Sequence, residues 1–96
     1  MDRAEDRIKA FLDGEKRLHT FPAKRKKKMW ALAYLAGKLE ARRVYTEKEL
    51  GEVLSHWHTF GDPATLRREL FDYGFLGRDA AGRGYWLEEE QPLVEE

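Results

Sequence analysis
Two helix-start signals in close succession constrain this chain more than any other feature. Thr46-Glu47-Lys48-Glu49 is a capping box, a threonine N-cap with a glutamate three residues on, each side chain satisfying an amide of the other. Asp62-Pro63 is the second, an aspartate N-cap followed by proline at the first helical position, where its missing N–H leaves nothing unpaired. The first signal opens a helix over residues 47–58 with Leu50, Val53, Leu54 and Trp57 as one stripe. The second opens a helix over residues 63–73 with Leu66, Leu70 and Tyr73 facing inward, and Gly74 is placed to stop it. Short strands are expected at 75–78 and 85–87. The Asp79-Ala80-Ala81-Gly82-Arg83-Gly84 stretch between them reads as a hairpin loop.

Upstream, Arg43-Val44-Tyr45 has strand composition at fragment length. Before it, a helix is expected over 24–40. Met29, Leu32, Leu35, Ala36 and Leu39 share one face, and Trp30 and Tyr34 lie nearly opposite. A helix with two apolar faces is covered twice. Trp30 and Tyr34 are therefore candidate interface residues, for a homodimer or regulator partner or for the chain's own first helix, expected over 2–12 around Ile8, Phe11 and Leu12. The order is helix, helix, short strand, helix, tight connection, helix, hairpin. That is a helix-rich α+β fold with the layout of a winged helix-turn-helix, carrying an extra N-terminal helix and a C-terminal β-hairpin wing. At 96 residues one domain is expected, over 1–87. Residues 88–96 are expected to form a frayed acidic tail.

Charge is arranged in blocks. Eighteen basic and eighteen acidic residues cancel in sum. Yet from 24 to 43 eight cations (Lys24, Arg25, Lys26, Lys27, Lys28, Lys38, Arg42 and Arg43) face one acid, Glu40. Glu88, Glu89, Glu90, Glu95 and Glu96 reverse the sign at the end. Five cations at a helix start oppose the macrodipole and repel each other. A polyanion such as a phosphate backbone turns that cost into binding. On the 63–73 helix, Thr65, Arg67 and Arg68 are candidates for phosphate and base contacts, and Arg83 is one at the wing tip. Surface ion pairs and a solvated loop arginine are the alternatives.

Several motifs, taken in order, resemble a known family. They are Phe21-Pro22-Ala23-Lys24-Arg25-Lys26-Lys27-Lys28, Tyr45-Thr46-Glu47-Lys48-Glu49, Thr65-Leu66-Arg67-Arg68-Glu69-Leu70, Asp72-Tyr73-Gly74-Phe75-Leu76 and Tyr85-Trp86. Together they are similar to a small prokaryotic domain-of-unknown-function family, found alone or behind the DNA-binding domain of transcriptional regulators. The resemblance covers about residues 11–87. It implies a winged-helix-like fold and a link to transcription control, and brings no catalytic residues.

Catalysis has little support in the residues. With no cysteine, thiolate nucleophiles and Cys-based metal sites are excluded. His56 and His58, two apart on a helix, diverge instead of converging on a metal, and capping or packing beside Trp57 is expected. Ser55 lacks a Gly-x-Ser-x-Gly setting. The glycines of 77–84 lack the Gly-Lys-Ser/Thr ending of a phosphate loop. No apolar run reaches the roughly 20 residues that span a bilayer, and no basic leader precedes an apolar stretch. The reading is a cytoplasmic, non-enzymatic module without cofactor, metal, membrane or small-molecule substrate. Duplex DNA is its expected partner, and a protein-interaction or ligand-sensing accessory is the alternative.

Overall fold
The computed structural model describes residues 3–95 as a small α+β fold. Its elements are α1 (Arg3–Arg7), a 3₁₀ turn (Lys9–Phe11), α2 (Arg25–Ala36), β1 (Tyr45–Thr46), α3 (Glu47–His56), α4 (Pro63–Asp72), β2 (Leu76–Arg78) and β3 (Gly84–Leu87). The strands form one antiparallel sheet in the order β1-β3-β2, with Tyr45 opposite Tyr85 and Gly77 opposite Trp86.

Both start signals operate as read. Thr46 Oγ1 accepts the Glu49 amide at 3.0 Å and Glu49 Oε1 accepts the Thr46 amide at 2.9 Å. Asp62 Oδ1 accepts the Thr65 amide at 3.2 Å. Leu50 and Leu54 of α3 and Leu66 and Leu70 of α4 are buried together. Past α4, Gly74 takes a φ of +88°, the left-handed conformation that ends the helix and turns Phe75 into the core.

His58 ties α3 to α4. Its ring is 4 % exposed, with Nδ1 at 2.6 Å from the Leu54 carbonyl and Nε2 at 2.8 Å from the Asp62 amide. The pattern assigns the proton to Nδ1, which gives the Leu54 carbonyl a second donor beside the Trp57 amide at 3.0 Å, while Nε2 accepts from the N-cap of α4. His56 packs edge-on to Trp57, ring centroids 5.0 Å apart. The N-terminal arm crosses this connection: the Leu18 amide donates to Trp57 O at 2.8 Å, and Leu18 O accepts from Thr59 at 3.0 Å.

Three expectations need correction. The first helix, expected over 2–12, stops at Arg7 because the buried Ile8 leaves helical geometry at φ −117° and ψ 20°; Asp2 lies outside the described residues. α2 ends at Ala36, not at 40. After Gly37 the chain tightens through Lys38 N–H to Leu35 O and Leu39 N–H to Ala36 O. The Glu40 amide then leaves the helix to donate to the Tyr45 hydroxyl at 2.8 Å.

Of the two readings of Trp30 and Tyr34, the described residues show cover by the chain itself. Tyr34 is fully buried, its hydroxyl donating to Lys16 O at 2.6 Å and its ring edge-on to Trp57. Trp30 is 7 % exposed under the Arg7 guanidinium, and its indole N–H donates to Glu95 O at 3.0 Å. The acidic segment, finally, does not fray over the described residues. Gln91 Nε2 donates to Phe75 O and Glu88 O, Val94 packs on the core, and Glu95 reaches α2. Glu96 lies outside the described residues. Among the described residues no helix is long and apolar enough to cross a membrane.

Candidate nucleic-acid interface
Helix α4 organises the charged surface. Its period sends Leu66 and Leu70 inward, Arg67, Phe71 and Ala64 toward the hairpin, and Glu69 and Tyr73 toward α2, leaving Thr65, Arg68 and Asp72 outermost. Each flank meets cations.

On the hairpin flank, Glu47, Ala64, Arg67, Arg68, Phe71, Arg78, Gly82 and Tyr85 line an open cleft of about 350 Å³. Three guanidinium groups converge there against one carboxylate. Arg67 is half-buried over the Tyr85 ring and sits 3.8 Å from Glu47 Oε1, a loose pair that leaves donors unused. Arg78 lies over Phe71, its Cζ 4.1 Å from the ring centroid. Arg68 is exposed and makes no ion pair among the described residues. Arg83 stands at the hairpin tip. The loop beneath it is held by Asp79, whose carboxylate accepts the Arg83 amide at 2.7 Å. That bond, and weaker ones from Gly84 and Gly82, hold the Asp79 carboxyl below its ordinary value.

On the opposite flank is the start of α2. Its N-cap, Lys24, provides no side-chain cap, and its first turn holds no acid. Lys24, Arg25, Lys26 and Lys27 are exposed, so the amide-rich end of the helix is ringed by cations. Two contacts fix this end beside α4. Lys28 Nζ pairs with Glu69 Oε1 at 3.3 Å, and the Arg25 guanidinium lies 5.5 Å from the Tyr73 ring centroid. Lys27 Nζ donates to Arg7 O at 2.8 Å.

The remaining candidates lie apart. Arg43 is engaged by Glu40 at 2.8 Å, by Glu49 at 3.9 Å and by the Tyr45 ring. Arg42, at φ +62°, borders shallow depressions with Leu87, Glu88 and Glu89, next to Trp86 on the sheet face opposite Tyr85. Neither joins the run 24–28. Sequence reasoning missed Arg78 and its platform Phe71. The signal was alternation: if Leu76 faces inward, Arg78 two residues on shares its side of the sheet, facing α4. Among the described residues no three His, Asp or Glu side chains gather as a metal site requires.

Residues 17–87 match the family described as "uncharacterized protein conserved in bacteria (DUF2087)". The chain belongs to this family. The DUF2087 match runs from the N-terminal arm to the end of β3, so both flanks of α4 lie within it, while α1 and residues 88–95 lie outside. No curated protein and no solved structure matches the chain.

Proposed function
We propose that this DUF2087 chain is a non-catalytic winged helix-turn-helix module that binds duplex DNA in transcription control. In this reading α3 and α4 are the helix-turn-helix, α4 enters the major groove, and the β2–β3 hairpin is the wing. One observation carries it: exposed cations lie on both flanks of α4. A helix seated in a major groove about 12 Å wide has a phosphate backbone on each side. Lys24, Arg25, Lys26 and Lys27 face one backbone, Arg78 and Arg67 the other. Thr65 and Arg68 on the outer face address base edges, and Arg83 approaches the adjoining groove. The stretch 24–28 is locally unfavourable for a helix start, which fits a surface shaped by an anionic partner.

The test is anisotropy of a labelled 20-base-pair duplex titrated with the protein at rising salt. Binding at low salt is expected, with Lys26→Glu/Lys27→Glu weakening all sequences alike. Arg68→Ala is expected to reduce discrimination between sequences. No binding at about 50 mM salt, or indifference to the double reversal, overturns the reading.

A second reading, an accessory that docks protein and not DNA, rests on a different observation. Ala33, Ala36, Gly37, Leu39, Phe75, Leu87 and Pro92 line a shallow, largely apolar groove of about 340 Å³. Under that reading charge reversal at Lys26 and Lys27 changes nothing, and Ala36→Glu abolishes partner binding.

A further inference from the structure
We infer that the C-terminal acidic segment is an intramolecular competitor for the α2 flank of the interface, displaced when that flank engages a phosphate backbone. The inference rests on the DNA-binding reading and adds a regulatory element to it.

The path of the segment is the first observation. After β3 the Glu88 amide donates to Phe75 O at 3.1 Å, and Gln91 folds the chain back by donating to Phe75 O at 3.0 Å and Glu88 O at 2.7 Å. Pro92 passes Gly74, Val94 packs on the core, and Glu95 O accepts the Trp30 indole N–H at 3.0 Å. The segment therefore reaches the first turns of α2. There Arg25, Lys26, Met29, Leu93 and Glu95 enclose one cleft of about 330 Å³. An acidic residue of the chain thus lines the same cleft as Arg25 and Lys26, at a cationic helix start whose first turn has no acid.

The second observation is how lightly this end is held. Glu95 forms no ion pair among the described residues, and Leu93 is 98 % exposed. Beyond Pro92, which packs near Gly74, one indole bond and the Val94 contact hold residues 93–95. A segment so held opens at little cost, whereas the Gln91 anchor keeps it near the surface it competes for. A phosphate backbone approaching Arg25 and Lys26 meets the same cleft and the same cations, so segment and backbone exclude one another. Release uncovers the cleft beside Arg25 and Lys26, adding about two phosphate contacts.

The experiment compares the full chain with a chain ending at Gln91, and with Glu95→Gln, in duplex titrations at several salt concentrations. Glu52→Gln on α3 controls for net charge. The shortened chain is expected to bind about ten-fold tighter at 0.1 M salt, with log affinity falling more steeply against log salt by about 2 units. Glu95→Gln should gain two- to three-fold and Glu52→Gln nothing. A peptide of residues 91–96, added to the shortened chain, should bring its affinity back down. If the shortened chain binds with unchanged affinity, the inference is overturned and the DNA reading stands. If no form binds DNA at low salt, the DNA reading fails and takes the inference with it. Should the shortened chain melt below assay temperature, Glu95→Gln against Glu52→Gln decides alone: equal affinities overturn the inference.

Discussion

At the scale of single residues, the connection between α3 and α4 depends on His58. The ring pairs a carbonyl at the end of one helix with an amide at the start of the next, inside a space 4 % open to solvent. Alanine there leaves the Asp62 amide without a partner, strips the Leu54 carbonyl of one of its two donors and opens a void. His58→Ala is expected to cost about 2–3 kcal/mol, lowering the melting temperature of a domain this size by roughly 10–20 °C. Calorimetry or a urea titration measures it, and a loss within error of zero would mean that water replaces the ring. Four carboxyls couple stability to acid. The Thr65 hydroxyl and amide hold Asp62 below its ordinary value, and the Thr46 amide does the same for Glu49. Backbone amides, that of Arg17 foremost for Asp13 and that of Arg83 for Asp79, depress the other two. A carboxyl depressed in the folded state binds fewer protons there than in the unfolded chain, so stability falls as pH falls. The melting temperature should hold from pH 7 to about 5 and decline below about 4, where these groups protonate. Asp62→Asn keeps an acceptor for Thr65 without the titration, so its curve should be flatter. A curve as steep as that of the parent would show that Asp62 contributes nothing to acid unfolding.

At the scale of elements, α2 and α3 start in opposite ways. α3 has a complete capping box, and α2 begins at a lysine with no side-chain cap. Lys24→Ser supplies the missing acceptor and removes one repelling charge, and a gain of about 0.5–1 kcal/mol is expected by chemical denaturation. If the cations serve phosphate contact, the same change weakens DNA binding several-fold. Stability and binding moving together would argue that the run 24–28 serves only solubility. The contrast also shows which parts of the fold are legible in sequence. Thr46, Asp62, Pro63 and Gly74 act through bonds within four residues, and those elements stand within two residues of expectation. The tip loop, closed by Asp79, is equally local. The end of α2 was not legible, because Glu40 leaves the helix for the hydroxyl of Tyr45 in the sheet. Nor was the partner of Trp30, whose bond to Glu95 spans 65 residues. Of the site, Arg67 and Arg68 could be read from the period of α4. Arg78 could not be assigned to the same cleft without the β2–β3 register and the stacking of α4 on the sheet.

At the scale of the whole molecule, a net charge of zero conceals a surface on which cations line both sides of one helix. The two sides give groove insertion a signature that side-on adhesion lacks. Each phosphate neutralised contributes about −0.9 to the slope of log affinity against log salt. Lys24, Arg25, Lys26 and Lys27 on one flank and Arg67, Arg78 and Arg83 on the other, mostly engaged, predict a slope near −5 for the chain without its competing segment. Lys26→Ala/Lys27→Ala and Arg67→Ala/Arg78→Ala should each make the slope shallower by about 2, and the four changes together by about 4. Additivity is expected because the two clusters lie on opposite flanks of α4 and share no partner. If the protein instead lies along DNA on its α2 flank alone, the arginine pair leaves the slope untouched and only the lysine pair moves it. The same titrations also report selectivity: phosphate contacts shift every duplex equally, so a change in the ratio of two sequences assigns Arg68 to the bases. Adhesion through a single flank would remove the reason for placing α4 in the groove, whatever the affinity measured.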